Sequence, residues 1–461
     1  MVKRSISLLF VAAFLCVFSA VIHAETFTAN LQGVQEVPPS GSTATGYARI
    51  FLNESAGTIS FIVVFNGLSS NQTDSHIHAP APIGANAAVA IGFGAVGGTS
   101  GTITGTRNIT PTQIAQLRAH QGYVNVHTAN FPGGEIRGQL GPARPLDYDG
   151  DGRTDLSVLR FPNIAPPAAA PITYWNRLSG GGTQVLSFGD ANQDFPAPGD
   201  YDGDGKDDLA LYRNNVVPGA QSVFFILRSS DNTAAAFSYG AGGDQAIARD
   251  YDGDGKTDMA VYRRTGGAGS QVFWWIRKSS DGLDRVVQFG VVGATNTSGN
   301  FINGDTPVPA DYDGDGKVDI AVYRFGGTTP SNYFIVLRSS DLSIQYQPWG
   351  NFTSDYIVPG DYDGDGKADF TAVRAVTPMQ WWILQSSTGT SRVIVFGSGT
   401  ADVPAQGDYD GDARTDIAVY RSGATAGAPS NFFMFSSLTQ QTQQIQWGLG
   451  ADFPVNTFDV R

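Results

Sequence analysis

Asp200-Tyr201-Asp202-Gly203-Asp204-Gly205-Lys206-Asp207-Asp208 sets carboxylates at positions 1, 3, 5 and 9 of a nine-residue loop. Like charges held that close repel one another, and a hard cation removes the repulsion. Ca²⁺ takes about six to eight oxygens. Here Asp200, Asp202, Asp204 and Asp208, the backbone carbonyl of Lys206 at position 7 and water would supply them, while Gly205 at position 6 permits the sharp turn.

The same register returns five more times. Asp147, Asp149, Asp151 and Asp155 enclose Arg153, and Asp250, Asp252, Asp254 and Asp258 enclose Lys256. Lys317 lies among Asp311, Asp313, Asp315 and Asp319, and Lys367 among Asp361, Asp363, Asp365 and Asp369. The last loop has Asp408, Asp410, Asp412 and Asp416 with Arg414. Its position 6 is Ala413 where the other loops have glycine, so a positive φ there would weaken that site. Position 12, which a helix-loop-helix calcium motif fills with Glu, holds Val158, Leu211, Val261, Val322, Ala372 and Val419. The β-branched and aromatic flanks predict strands on either side of each loop.

The loop starts lie 47 to 61 residues apart. Each interval holds a strand such as Met259–Arg263, an aromatic strand such as Val272–Arg277, a Ser-Ser turn, a third strand such as Val286–Gly290 and a Pro-containing lead into the next loop. Four short strands per interval is the pattern of a β-propeller blade. Asp194, Asp244, Asp305, Asp355 and Asp402 each stand six residues before a loop, and Asp452 continues that register to Phe458, where the chain has no further loop. The segment Phe453 to Val460 therefore reads as a leading strand that closes the ring on the first blade. Ala143 to Leu146 compete for that slot. Six blades are expected, with seven as the alternative. The loops and blade pattern resemble the FG-GAP/VCBS repeats of integrin-type propellers, and that resemblance implies Ca²⁺ at all six loops.

The chain opens with Lys3 and Arg4, an apolar run from Ile6 to Ile22 and Ala24 before Glu25, which predicts a signal peptide over residues 1–24. Localisation is accordingly expected to be secreted: extracellular, at the cell surface or in the periplasm, with no membrane span after cleavage. Cys16 is the only cysteine and lies inside the signal, so disulfides and thiol chemistry are excluded from the mature chain. The formal charge is −13, and positions 1, 3, 5 and 9 of the loops supply 24 of the 42 acidic residues. That acidity belongs to the candidate metal sites, and a nucleic-acid partner would need a basic face instead.

Residues 25–140 read as a β-sandwich and residues 141–461 as the propeller. In the first domain, Thr110, Pro111 and Gln113 start a short helix that Gly122 would end. His120 is expected on that helix, facing solvent. His76 and His78 alternate on one strand and so share a face, and His127 could join them as a transition-metal trio. The competing expectation is plain packing, with partners such as Glu135. Leu31–Pro38, His76-Ile77-His78, Tyr123–His127 and Pro132–Leu140 resemble the CHRD domain, which implies an all-β domain and no defined chemistry.

The propeller region contains neither His nor Cys, and its visible carboxylates are committed to the loops, so no enzyme is expected. A monomeric binding or adhesion module for a protein or a glycan is the first reading. A metal-handling (copper or zinc) or redox role through His76, His78 and His127 is the alternative. Trp274, Trp275, Trp381 and Trp382 are expected to be buried. Aromatics exposed at a rim would favour a glycan, and buried ones a protein partner.

Overall fold

The structure, a computed structural model, describes residues 24–54, 56–142, 145–161, 170–215, 217–295, 301–302, 304–325, 332–350 and 355–456. The expected signal peptide up to His23, Ala143 and Phe458 to Val460 lie outside the described residues.

The first domain is built from alternating strands whose apolar side chains fall on one face. In chain order these are β1 (Ala24–Gln32), β2 (Thr45–Asn53), β3 (Thr58–Asn66), β4 (Gln72–His78), β5 (Val89–Gly92), β6 (Gly101–Asn108), β7 (Tyr123–Thr128), β8 (Ile136–Gln139) and β9 (Gly141–Pro142). They form one nine-stranded sheet in the order β5-β4-β7-β8-β1-β2-β3-β6, with β9 against β1. The sheet curls around a core that includes Phe27, Ile50, Phe61, Val63, Val124 and Ile136. Arg107 on one edge strand nearly closes it, donating from Nε to the Gly92 carbonyl on the other edge (2.8 Å) and from Nη2 to Phe93 (2.9 Å). The sandwich expected from the sequence thus takes the form of a single near-closed sheet.

The helix α1 (Pro111–Arg118) starts as its residues dictate. Thr110 accepts from the Gln113 amide, and the Gln113 side chain returns the bond. It ends earlier than expected, because His120 takes φ 51° and turns the chain before Gly122.

From residue 145 on, six four-stranded antiparallel sheets follow, the blades of a propeller. A typical blade, the second, orders Asp194–Pro196, Leu209–Arg213, Gln221–Leu227 and Ala234–Ala241 from its leading strand outward. Neighbouring blades share apolar layers. Trp274 and Ile276 of the third pack with Ile320 and Val322 of the fourth, and Tyr420 and Phe432 of the sixth pack with Leu156 and Val158 of the first. The residues at loop position 12 are buried in these layers, each at most 1 % exposed, which is why no oxygen stands there.

The ring closes through the C-terminal strand. Phe453–Pro454 pairs with Leu156–Arg160 as the leading strand of the first blade. Arg160 grips Asp452 through Nε (2.9 Å) and Nη2 (2.8 Å). Equivalent Arg–Asp pairs lock other blades: Arg213–Asp194, Arg263–Asp244, Arg324–Asp305 and Arg421–Asp402. Gly141 and Pro142, just before the competing segment, pair with β1, and Leu146 at its end is buried and donates its amide to Asp207 of the second loop, so the described part of that segment does not take the slot. The extra residues between the third and fourth loops add a minimal hairpin, Ala294–Thr295 with Phe301–Ile302, outside the blades.

Truncation after Gly450 should lower stability by about 2–4 kcal/mol. The burial of Val455, 0 % exposed, contributes about 1.5–3 kcal/mol. The Arg160–Asp452 pair adds less than a fully buried one because Arg160 is about a third exposed. Phe453 is 48 % exposed and contributes little. Melting of full-length and truncated chains checks this, and an unchanged midpoint would mean that the C-terminal strand does not close the ring.

Candidate metal centres

In the second to sixth blades each Asp-rich loop follows the leading strand and turns the chain into the next strand, and in the first blade, whose leading strand is the C-terminal Phe453–Pro454, the loop leads directly into Leu156–Arg160. The position-1 carboxylate organises the loop from inside. Asp200 accepts from the amides of Gly203 (2.6 Å) and Gly205 (2.8 Å), and Asp311 from those of Gly314 (2.6 Å) and Gly316 (2.9 Å). Position 9 ties the loop to a distant turn. Asp208 accepts from the Tyr201 amide (2.9 Å) and from the Ser229 amide (2.7 Å), and Asp155, Asp258, Asp319, Asp369 and Asp416 repeat the arrangement with Ser179, Ser279, Ser339, Ser386 and Ser437. The serine hydroxyls add to it: Ser229 donates to Asp204 (2.9 Å) and Ser230 to Asp202 (2.6 Å). The Ser-Ser turn was legible in the sequence as part of the repeat. Its role as donor to the loop carboxylates was not read there, although its offset of 25 to 32 residues from the loop start was available.

The carboxylates converge. One oxygen each from Asp147, Asp149 and Asp155 lies within 4.8 Å of the others, and Asp200, Asp202 and Asp208 do the same. In the third and fourth loops the convergent sets are Asp250, Asp252 and Asp254, and Asp311, Asp313 and Asp315. Asp252 Oδ1, Asp363 Oδ1 and Asp412 Oδ2 are buried without a hydrogen-bond partner. Such oxygens are lone pairs held out of water with nothing to accept, and an oxygen-seeking divalent cation fits them. The side chains of Lys206, Lys256, Lys317, Lys367, Arg153 and Arg414 reach toward the loop before their own, although Arg153 also grips Asp151 of its own loop through Nε (3.1 Å) and Nη2 (2.7 Å). Each lies over the position-4 glycine of the preceding loop, so that a Cβ on Gly203 would stand 2.5 Å from Cε of Lys256. Position 7 thus has its backbone for the site and its side chain for the neighbour.

A second contact joins the loops. The position-8 amide of each donates to the position-1 carbonyl of the loop before: Asp207 to Asp147 (2.9 Å), Thr257 to Asp200 (2.6 Å), Val318 to Asp250 (2.8 Å), Ala368 to Asp311 (2.7 Å), Thr415 to Asp361 (2.7 Å) and Thr154 to Asp408 (2.7 Å). The last bond returns to the start. The first-position aspartates are therefore coupled around a closed circle.

The electrostatics explain what such a ring lacks when no cation is bound. Burial first, then the neighbouring carboxylates, push Asp155, Asp200, Asp258 and Asp369 up to about 7 and Asp311 to about 8. Asp147, Asp250, Asp412 and Asp416 are raised further for the same reasons. A carboxylate whose pKa is raised by folding stabilises the fold while it is protonated, and that contribution is lost as pH rises through the folded value. In chelator, the melting temperature should therefore fall between about pH 5 and about pH 8, and Ca²⁺ should remove the fall. A flat profile in chelator would contradict these shifts. In the sixth loop Ala413 takes φ 72°, so Ala413→Gly should raise stability by about 1 kcal/mol in calcium-loaded melts.

The first domain sits on this loop face. Arg49, buried, donates from Nη2 to the Gly150 carbonyl (2.7 Å) and from Nη1 to that of Asp204 (3.1 Å), bridging the first two loops. Gln32 and Gln35 reach the carbonyls of Asp410 and Gly411 in the sixth. His120 is not solvated as expected. It is buried beyond the helix end, with Nδ1 3.3 Å from Oδ2 of Asp361. A cavity of about 360 Å³ remains between the two parts, bordered by Phe27, Arg118 and His120 above and Arg249 and Asp361 below.

In the first domain, β4 and β7 bring the three histidines together. His78 pairs across the strands with Tyr123 and His76 with Asn125, and one ring nitrogen from each of His76, His78 and His127 lies within 4.8 Å of the other two. Burial pushes the imidazoles of His78 and His127 below their usual value and keeps them neutral. Glu135 is not their partner. It accepts from Ser42, Ser69 and Thr128, and His76 is held by Asp74. Nearby, Glu36 is pushed up to about 7 by burial and takes a hydrogen bond from Asn125 (3.4 Å).

Residues 27–140 match the CHRD domain family, about a quarter of the chain. No curated protein is matched. Among solved structures the chain is similar to AofleA from Arthrobotrys oligospora, at 12 % identity and a TM-score of 0.39 over 65 % of this chain and 88 % of that one. It is also similar to the acylaminoacyl peptidase of Pyrococcus horikoshii, at 10 % identity and a TM-score of 0.33 over 90 % of this chain and 52 % of that one. No helix among the described residues is long and apolar enough to cross a membrane.

Proposed function

We propose that the protein is an exported calcium-binding propeller of the FG-GAP/VCBS type, a binding or adhesion module whose six loops hold Ca²⁺ and carry the CHRD domain on their face. The observation that carries this reading is the convergence of buried carboxylates in loops whose backbones are hydrogen-bonded into one closed circle. The position-1, -3, -5 and -9 aspartates and the position-7 carbonyls supply the ligands, and the bound ions neutralise charge that the fold has taken out of water. Ions would also fix the carbonyls on which Arg49 rests, so calcium and the seating of the first domain are linked.

The placement of the four blade tryptophans favours a protein partner over a glycan, although Phe195 and Tyr346 are exposed. Trp274 and Trp381 are fully buried. Trp275 and Trp382 lie under the guanidinium groups of Arg263 and Arg374, at 4.8 and 5.2 Å.

Calcium titration of the chelator-stripped chain should count close to six ions, each contributing on the order of 1 kcal/mol at millimolar Ca²⁺. A melting temperature indifferent to EGTA would defeat the proposal. Arg49→Ala should lower stability by about 1.5–3 kcal/mol, because its donors leave buried carbonyls unpaired, and should expose the segment between the CHRD domain and the first blade to limited proteolysis. A variant that melts and resists protease like the parent would separate the domain contact from the calcium ring.

A further inference from the structure

We propose that His76, His78 and His127 form a transition-metal centre, distinct from the calcium loops, that takes one zinc or copper(II) ion on three imidazole nitrogens and leaves a coordination position open. The trio stands on the outer part of the first domain's sheet and no loop aspartate belongs to it.

The hydrogen bonds decide which nitrogens are available. His78 Nδ1 lies 2.9 Å from the Ala87 carbonyl and His127 Nδ1 3.0 Å from that of Pro132. A carbonyl can only accept, so both rings carry their proton on Nδ1, and in the neutral ring Nε2 is a bare lone pair. His76 is turned the other way, with Nε2 2.8 Å from Asp74 Oδ2. The three remaining nitrogens, His76 Nδ1, His78 Nε2 and His127 Nε2, are buried and have no hydrogen-bond partner. His78 and His127 are 9 % and 8 % exposed.

Three desolvated lone pairs with no donor facing them are unfavourable unless something accepts them. If the rings merely packed, each inward nitrogen would need a donor, and none of the three has one. A metal ion satisfies all three at once. The outer partners are those that orient metal-bound histidines elsewhere in proteins: two backbone carbonyls and one carboxylate, each fixing a tautomer with the lone pair inward. Tyr123 stacks on His78 with ring centres 4.8 Å apart and holds its plane. Imidazole donors select zinc or copper over calcium, which prefers oxygen.

Three protein ligands leave a tetrahedral ion one position for water or substrate. The next polar groups on this sheet face are those of Asn125, directly across from His76, and its partner Glu36. Asn125 Oδ1 and Glu36 Oε1 are buried acceptors without partners, suited to a donor such as a metal-bound water. Gly134 keeps the place open, since a Cβ there would stand 2.4 Å from Asn125 Oδ1 and 2.6 Å from Glu36 Oε1.

The test uses the full chain with millimolar Ca²⁺ present throughout, so that the loops are filled and any further ion is read separately. Zn²⁺ and Cu²⁺ are titrated by calorimetry, and the Cu²⁺-loaded protein is examined by electron paramagnetic resonance. The expected result is one equivalent per chain and a copper spectrum split by imidazole nitrogens. His127→Gln should weaken binding at least 100-fold and Asp74→Asn by about 10-fold, while both variants keep the calcium-dependent melting shift of the parent. Copper without nitrogen splitting in the parent chain would overturn the proposal whatever the variants do, and so would equal affinity in parent and His127→Gln. Because calcium dependence is read in the same samples, failure here leaves the reading of the propeller loops standing.

Discussion

Everything in the larger part of the molecule depends on placing aspartates where water cannot reach them. A carboxylate in water is cheap and one in a protein interior is not, yet position-9 aspartates such as Asp208 and Asp258 are wholly buried. The backbone meets part of that cost, with two amide donors on each such carboxylate. Amides alone do not offset the burial, and the neighbouring carboxylates add to it, which is why Asp200 and Asp311 stay well above the usual carboxylate range. The remaining term is suited to a divalent ion. The position-1 carbonyls are linked from loop to loop by the position-8 amides, which gives neighbouring sites a direct backbone connection.

The same loops serve as the floor for the first domain. Arg49, Gln32 and Gln35 do not contact loop carboxylates; they donate to backbone carbonyls that the loops turn outward. A guanidinium placed directly on the aspartates would compete with a cation for them, and one placed on the carbonyls does not. His120 is the exception, standing against Asp361 itself. The fifth loop is thus the place where the two domains share a carboxylate, and where a cation in the loop and the position of the helix end must be reconciled.

Much of the propeller was legible because its determinants are periodic. The six Asp registers, the strand lengths and the continuation of the leading-strand aspartate to Asp452 were sufficient to place six blades and to assign closure to the C-terminal strand. The partner of that aspartate was overlooked, although Asp194 and Arg213, Asp244 and Arg263, and Asp305 and Arg324 all stand 19 residues apart. Less periodic features were misjudged. His120 follows a helical pattern, but it takes a positive φ and lies buried against Asp361 of the propeller, a contact that no local pattern encodes. Phe453 looks like core and is half exposed, because a leading strand has only one neighbour to pack against. Glu135 is near the histidines in the family motif and faces serines in space. In the histidine trio, same-strand spacing placed His76 with His78, and only the strand pairing shows that His127 faces them.

Hydrogen exchange at the six position-8 amides, Thr154, Asp207, Thr257, Val318, Ala368 and Thr415, tests the proposed calcium-held ring most directly. With Ca²⁺ present these amides should be among the slowest in the propeller, and on adding EGTA all six should lose protection together, ahead of the amides inside the blade strands. Protection that is unchanged by calcium removal, or lost at some loops and kept at others, would contradict a ring of coupled calcium sites.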